Sequence, residues 1–529
     1  RRQRQMCIRD SCWDGGVAAA AVEPYSESEA GIIRNGVFAA LPDAFGISLG
    51  YTNDPTTFKN RSTPAPSTRS MACKAQTSGR IYLHSGPRTE LHEIIRQEYA
   101  RHQDRAVPRN TLRQAVQGML DTFAYQNFDA AAGEYTNRCC RPPRETEMRP
   151  WRLVTEIGWT GGGVLAYPLV LCRDALGADA EAPLAAAMSG EQLFDRIADA
   201  YNENSGLLND LMAPNAAGSQ VNGWWTGYGL VKDCHCAYTV GSAVHYLTKT
   251  MDYLHQNGKP CPAKWMDAAQ KVLHTVMDLQ RADGAFGYTY STQERKVLDW
   301  SGFAGCWFAP ALVYLYRLTG EERCLHSAEK ALDYYHTFVK DLNCYGTPMD
   351  TWKAVDEEGN LAFMRGSRLL YEQTGKAEFL QYMKDSAGYE FLWRYGYKTY
   401  PEHTPLNQGW SACGGAVTSV SNPHIHPMGV IIDTDLRYLA RVTGDGYYAS
   451  RAADSAAWML QCLELYPAAT GYGRYGILSE RWCPSDGLDV ERFSDGRPFS
   501  SWFSHNLWAS ACVLEAACEL LLEIEHKKG

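Results

Sequence analysis

No run of eighteen consecutive apolar residues occurs in the chain, so no segment has the length and hydrophobicity of a membrane-spanning helix. Positive charge is not in excess either. The 51 Lys and Arg against 60 Asp and Glu leave a formal net charge of −9, and no basic stripe interleaved with aromatics exists, which argues against a nucleic-acid partner. No G-x-G-x-x-G follows a strand-like run, so a dinucleotide site is not expected. Cys139-Cys140 and Cys234-His235-Cys236 lack the two spaced ligand pairs of a zinc site, and neither a metal nor another cofactor is expected. The 17 cysteines are odd in number, and Cys172, Cys306, Cys462, Cys512 and Cys518 lie among apolar helical residues. That placing favours buried free thiols in a reducing compartment, hence a cytoplasmic location.

What the chain has in quantity is a repeat of 3.6-period segments. Six amphipathic segments, near 111–126, 189–203, 262–280, 322–340, 376–394 and 446–463, carry apolar residues at three- and four-residue spacing. Leu325, Ala328, Ala331, Leu332, Tyr335 and Phe338 form one such stripe. Each is followed by a segment that is apolar nearly all round, near 157–176, 234–256, 302–318, 357–374, 427–443 and 500–524. Helices of the second kind must be covered on most sides. Six covered helices alternating with six half-covered ones predict two concentric rings, a mainly α fold of the (α/α)6 toroid type. The alternative for stacked hairpins is an open superhelical solenoid, which usually shows loops of uniform length and a stricter consensus.

The short returns repeat one another: RLTGEERCL (317–325), EQTGKAEFL (372–380) and RVTGDGYYA (441–449) place Gly320, Gly375 and Gly444 where a covered helix ends. A residue with positive φ is expected there. Residues 1–11, RRQRQMCIRDS, resemble a translated adapter and are read as a non-native leader, which leaves the native N-terminus and any signal peptide open. Residues 12–88 hold short β-prone runs, GIIRNGVFAALPDAFGISLGYT and GRIYLHSG, and read as the C-terminal part of a β-sandwich. A linker helix is expected over 89–110, and the barrel over 111–529.

All six long loops precede a covered helix, so they gather at one end of the toroid and form one mouth. The second holds Trp225 and Tyr228, and the third Tyr288 and Asp299. The fourth, GTPMDTWKAVDEEG, offers Asp350, Trp352, Lys353, Asp356, Glu357 and Glu358. The fifth supplies Trp410, His424 and His426, and the sixth, LSERWCPSDGL, supplies Glu480 and Arg481. Glu156 and Trp159 precede Gly161–Gly163, which would admit a ligand or another backbone at close range or, equally, permit tight helix packing.

Paired carboxylates across such a mouth suit glycosidic-bond hydrolysis. Glu480, between Ser and Arg in a Gly-bounded loop, is the first choice, and Asp350 and Asp356 follow. An ion pair with Arg481 is the bland reading of Glu480, and helix capping is that of Asp356, Glu357 and Glu358. His424 and His426 alternate between Pro423 and Pro427, so both imidazoles could face the pocket. Trp352, Trp410, Trp225, Trp159, Tyr228 and Tyr288 suit stacking on sugar rings, and Glu357 and Arg481 suit sugar hydroxyl or carboxylate groups.

With its six hairpins and the loops WSGFAGCW, TPMDTWKAVDEEG, GWSACGGAVTSVSNPHIHPMG and LSERWCPSDGL behind a sandwich remnant, the chain resembles the six-hairpin glycosidases. Among them it is most similar to the β-glucuronidase-like glycoside hydrolase family 154. That resemblance implies hydrolysis of a glycosidic bond next to a uronic acid, with Arg481, Lys353, His424 and His426 available for the sugar carboxylate. A polysaccharide lyase or sugar epimerase using His and Tyr as base and acid is the alternative on the same barrel. A non-catalytic carbohydrate-binding barrel is the third reading. The sequence carries no signal of oligomeric state.

Overall fold

The structure is a computed structural model. It describes residues 86–102, 105–129, 134–140, 149–153, 156–158, 162–177, 181–212, 220–221, 223–226, 229–347, 353–398, 411–419, 425–465, 475–478, 503–505 and 507–526, with strands only before residue 85. Those strands form a three-stranded antiparallel sheet of 8–13, 16–22 and 79–84, and three separate hairpins.

Thirteen α-helices follow among the described residues. The first, α1 (Glu90–Arg101), precedes the repeat. The remaining twelve fall into six outer–inner pairs: α2 (Leu112–Thr122) with α3 (Gly163–Leu176), α4 (Glu181–Asp199) with α5 (Ala237–Gln256), α6 (Ala263–Asp278) with α7 (Phe308–Thr319), α8 (Glu322–Lys340) with α9 (Glu358–Thr374), α10 (Ala377–Glu390) with α11 (Asp433–Thr443), and α12 (Gly446–Cys462) with α13 (Leu507–His526). A 3₁₀ segment, Pro427–Ile432, leads directly into α11.

Burial separates the two kinds of helix as their sequences do. In the outer helix α8 the buried residues are Cys324, Ser327, Ala328, Ala331, Leu332, Tyr335 and Val339, a single stripe, with Leu325 and Phe338 half-covered at its margins. In the inner helix α5, by contrast, every residue from Ala237 to Asp252 is buried. The inner helices close on themselves: α3 packs on α5, α5 on α7, α7 on α9, α9 and α13 on the 3₁₀ segment that opens α11, and α13 back on α3. That closure is a toroid and excludes the open solenoid.

The three repeated turns take the expected form. Gly320, Gly375 and Gly444 end α7, α9 and α11 in the left-handed region, at φ of 72°, 65° and 70°. At Gly320 and Gly375 the next N–H returns to the last turn of the helix, from Gly320 to Tyr316 and from Gly375 to Tyr371. Helix starts depart from the sequence reading. Inner helix one begins at Gly163, not near 157, because Gly162 sits against the Ile157 carbonyl and Gly163 packs on Tyr246 of α5. A side chain at 163 would come within 2.6 Å of the Tyr246 Cβ, so this glycine serves helix packing. The outer helix α4 begins earlier than expected, at Glu181.

The helix α1 lies against the outer ring. Tyr99 donates to Asp454 of α12 at 2.6 Å, Arg96 pairs with Asp445 at 2.6 Å, and His92 occupies the space above Gly388 of α10. The mouth loops are tied to one another. Strand 134–140 of the first loop pairs with 503–505 of the sixth, 234–236 of the second pairs with 289–291 of the third, and Asp356 of the fourth bridges Ser419 of the fifth.

Space is open where a Cβ at Gly375 would point, so replacing it costs only the left-handed backbone conformation. Gly375→Ala is expected to destabilise the fold by about 1 kcal/mol, read from the midpoint of a urea unfolding curve.

Candidate active site

The site is built where the N-termini of the inner helices meet the axis. Glu358, the first residue of α9, lies close enough to Tyr238 on α5 for its carboxyl to act on the phenol. It also acts electrostatically on Cys512 of α13. Neither α5 nor α13 is a neighbour of α9 in the ring, so a side chain that meets both lies on the axis. Tyr238 also approaches the Met428 sulfur at 3.8 Å. Trp307 stands edge-on to Tyr238, with ring centres 5.8 Å apart, and His426 stands edge-on to Trp508 at 4.8 Å. These groups are almost fully enclosed. Burial first, and then the charge and hydrogen bond of Glu358, push the Tyr238 hydroxyl well above its usual range. The phenol therefore stays protonated and serves as a donor.

Below this layer the axis remains polar. His245, about two helical turns beneath Tyr238, packs among Tyr246, Trp307 and Tyr314. Burial, then the charges of Lys249 and Arg365, hold its imidazole neutral. Lys249 bridges Glu515 at 2.5 Å and Glu519 at 2.8 Å, and its ammonium lies 4.1 Å from the centre of the Tyr167 ring. Tyr246 and Tyr167 donate to the same two carboxylates at 2.8 and 3.0 Å, and Thr434 donates to Glu519 at 2.9 Å. Arg365 donates to Asp435 at 2.8 Å and to the Ile431 carbonyl at 2.9 Å. Burial alone would raise the Glu519 carboxyl, but Lys249, Arg365 and the Thr434 hydroxyl outweigh it and hold it at about 2. The barrel floor is thus a matched ionic network.

Of the sequence-named residues, Asp356, Glu357, His426 and Tyr288 lie in this part of the molecule with their side chains described. Asp356 is fully buried, and its carboxylate accepts from the Gly359 and Thr347 amides, both at 3.2 Å. It caps α9 and fixes the fourth loop. Glu357 lies between α9, the residues that follow α10 and Gly429. His426 lines the mouth, and its Nδ1 accepts from the Met428 amide at 3.4 Å. Tyr288 is buried beneath Lys353, whose ammonium is 4.7 Å from the ring centre. Lys353 itself pairs with Asp299 at 2.5 Å, which commits its charge within the protein. Glu480, Asp350, His424, Arg481, Trp352, Trp410, Tyr228 and Trp159 lie outside the described residues, as does the side chain of Trp225. Glu156 is buried and ends the first loop.

Sequence reasoning passed over Tyr238, Trp307, Trp508 and His245, because a polar or aromatic residue inside an apolar helix carries no mark of facing the axis. A signal did exist for Glu358. It opens an inner helix, and the hairpin register points that end at the mouth.

A second constellation is instructive by contrast. Ser205 lies 2.9 Å from His235 Nε2, and Asp210 is on the other side of the ring, the order of a hydrolytic triad. The Asp210–His235 separation is 3.9 Å, however, and all three residues are buried. Asp210 accepts instead from the Cys236 amide at 3.0 Å, so the trio ties the second loop to α5.

No protein-family model matches the chain, and no curated protein matches it in sequence. Solved structures match in fold. A family 76 glycoside hydrolase (mannosidase) from Bacteroides thetaiotaomicron is 13% identical, with a TM-score of 0.50, over 78% of this chain and 99% of its own. A family 76 glycoside hydrolase from a bovine strain of the same species is 10% identical, with a TM-score of 0.51, over 96% and 97%. The cellobiose 2-epimerase of Bacillus thermoamylovorans is 12% identical, with a TM-score of 0.50, over 78% and 98%. The chain thus shares its (α/α)6 toroid with these proteins.

Removing the cation from the floor leaves two buried carboxylates facing each other. Lys249→Met is expected to destabilise the protein by about 3–5 kcal/mol in equilibrium denaturation, and adding Glu515→Gln should restore part of that loss.

Proposed function

We propose that the chain is a glycoside hydrolase working in the barrel mouth, with a terminal uronic acid as its target. The observation that carries this reading is the Glu358–Tyr238 pair. It puts a carboxyl group toward the axis, at the end where the long loops converge, with Trp307 edge-on to Tyr238 and with the His426–Trp508 pair in the same mouth. Hydrolysis needs one carboxylic acid to protonate the leaving oxygen while a second carboxylate activates water or attacks the anomeric carbon. Glu358 takes one of these roles, steadied by the Tyr238 hydroxyl. Glu480 and Asp350 are the sequence's choices for the other. Trp307 and Trp508 give apolar walls for sugar C–H faces. With Lys353 held by Asp299, the cationic groups left for a sugar carboxylate are Arg481, His424 and His426.

The second reading is an epimerase or lyase on the same barrel, and one observation favours it: the mouth holds a phenol, Tyr238, and an imidazole, His426, as well as carboxyl groups. One of the similar folds is a cellobiose 2-epimerase and another a mannosidase, so fold likeness accommodates both readings.

A panel of aryl glycosides, glucuronide and galacturonide included, distinguishes them. Turnover of a uronide is expected, and Glu358→Gln should lower kcat by about 10²–10⁴-fold with an unchanged melting temperature. Glu480→Gln should lower it as well. Full turnover in both amide variants, with loss in His426→Ala, would transfer the assignment to the second reading. An epimerase then consumes no water, and a lyase product absorbs in the ultraviolet.

A further inference from the structure

Behind the mouth, three carboxyl groups share one guanidinium. Arg394 is fully buried, and it donates to Glu390 Oε1 at 2.8 and 3.0 Å, to Asp433 at 2.9 Å and to the Gly429 carbonyl at 2.7 Å. Its hydrogen bonds are therefore directed to Glu390, Asp433 and the backbone. Glu357 faces the same nest, and neither of its oxygens has a hydrogen-bond donor; Glu390 Oε2 also has none. Both carboxyls converge on one point. A methyl group at Gly429 would overlap Glu357 Oε1 and press on Glu390 Oε1 at 3.2 Å and on the Ala416 methyl at 3.0 Å. Two fully buried carboxylates in contact, with the nearby cation already bound to one of them, repel each other strongly. A carboxylic acid beside a carboxylate attracts it, because the proton supplies the missing donor.

We infer that Glu357 and Glu390 share one proton, and that this acid–carboxylate pair is a positioning device that locks the start of α9 to Gly429 and so sets Glu358 and His426 in the mouth. The link is short in sequence on both sides: Glu357 precedes Glu358, and Gly429 follows His426 and Met428. The backbone reinforces it, since the Glu357 amide donates to the Thr418 carbonyl at 2.7 Å. Among the described residues, Glu390 and Arg394 from the end of α10 and beyond, Glu358 on its own helix and Cys512 on α13 interact with Glu357, and Asp433 at the start of α11 pairs with the same Arg394.

In the unfolded chain Glu357 ionises near its ordinary value of 4.5, whereas burial and then the Glu390 charge raise it far above that in the fold. The folded protein therefore holds more protons than the unfolded chain across that interval. Stability from this pair is complete below the unfolded value and falls as pH rises toward the folded one. Asp433, raised to about 7 by burial against the pull of Arg394, adds a loss of the same sign.

Glu357→Gln supplies the donor at every pH and tests the idea by thermal unfolding of the full chain between pH 5.5 and 8.5. The expected result is a melting temperature close to that of the unaltered protein at pH 5.5. At pH 8.5 the variant should lie about 3–5 °C above it. Glu357→Ala, which removes donor and acceptor together, should be lower than the unaltered protein at pH 5.5. A Glu357→Gln chain that melts lower by the same amount at both pH values would overturn the proposal, since Glu357 would then be ionised. So would failure of that variant to fold, because an amide is nearly isosteric with a protonated acid. Stabilisation of the unaltered protein by Mg²⁺ or Ca²⁺, reversed by chelation, would also overturn it and make the nest a cation site. The positioning role rests on the hydrolase reading and predicts that the alkaline limb of kcat moves to higher pH in Glu357→Gln. The unfolding result is independent of substrate, so it separates failure of the proton pair from failure of that reading.

Discussion

Lys249 and its two carboxylates join the second inner helix to the last across the centre of the toroid, in a largely buried place. The axis imposes this demand. Each inner helix presents one face to its outer partner, two flanks to its neighbours and one face to the centre, and polar side chains on that last face must be matched by one another. Lys249 with Glu515 and Glu519, and Arg365 with Asp435, meet the requirement at the floor. Near the mouth the matching changes in kind. There a carboxyl meets a phenol, and aromatic rings replace cations.

That change separates the structural end of the axis from the chemical end. At the floor, opposite charges hold Glu519 in its ionised form, which makes a rigid base. At the mouth, burial keeps Tyr238 protonated beside Glu358, which sets a phenol donor close to a carboxyl. Groups of that sort are suited to passing protons. The loops around them are tied in pairs by short strands, so the mouth is framed by backbone hydrogen bonds.

Much of the fold was legible because it follows from covering. The stripe on α8 against the all-round apolarity of α5 distinguishes outer from inner helix without any knowledge of contacts, and Gly320, Gly375 and Gly444 mark the turns because their backbone conformation is disfavoured for other residues. The helix starts were less legible. Gly162 and Gly163 delay α3 because the backbone there packs on Ile157 and on Tyr246, and a contact with another helix leaves no local trace.

The site divides along the same line. Spacing and hairpin register by themselves determined that the fourth loop delivers a run of acids, Asp356, Glu357 and Glu358, to the head of an inner helix at the mouth. Only the tertiary structure decided their different tasks, because consecutive residues at a helix start point in different directions and meet different surroundings. Asp356 turns back to cap its helix, Glu357 is enclosed with Glu390 and Arg394, and Glu358 acts on Tyr238 of α5. A carboxyl group's chemistry is set by what lies within a few ångströms of it, and for Glu358 that neighbour, Tyr238, comes from a helix more than a hundred residues away.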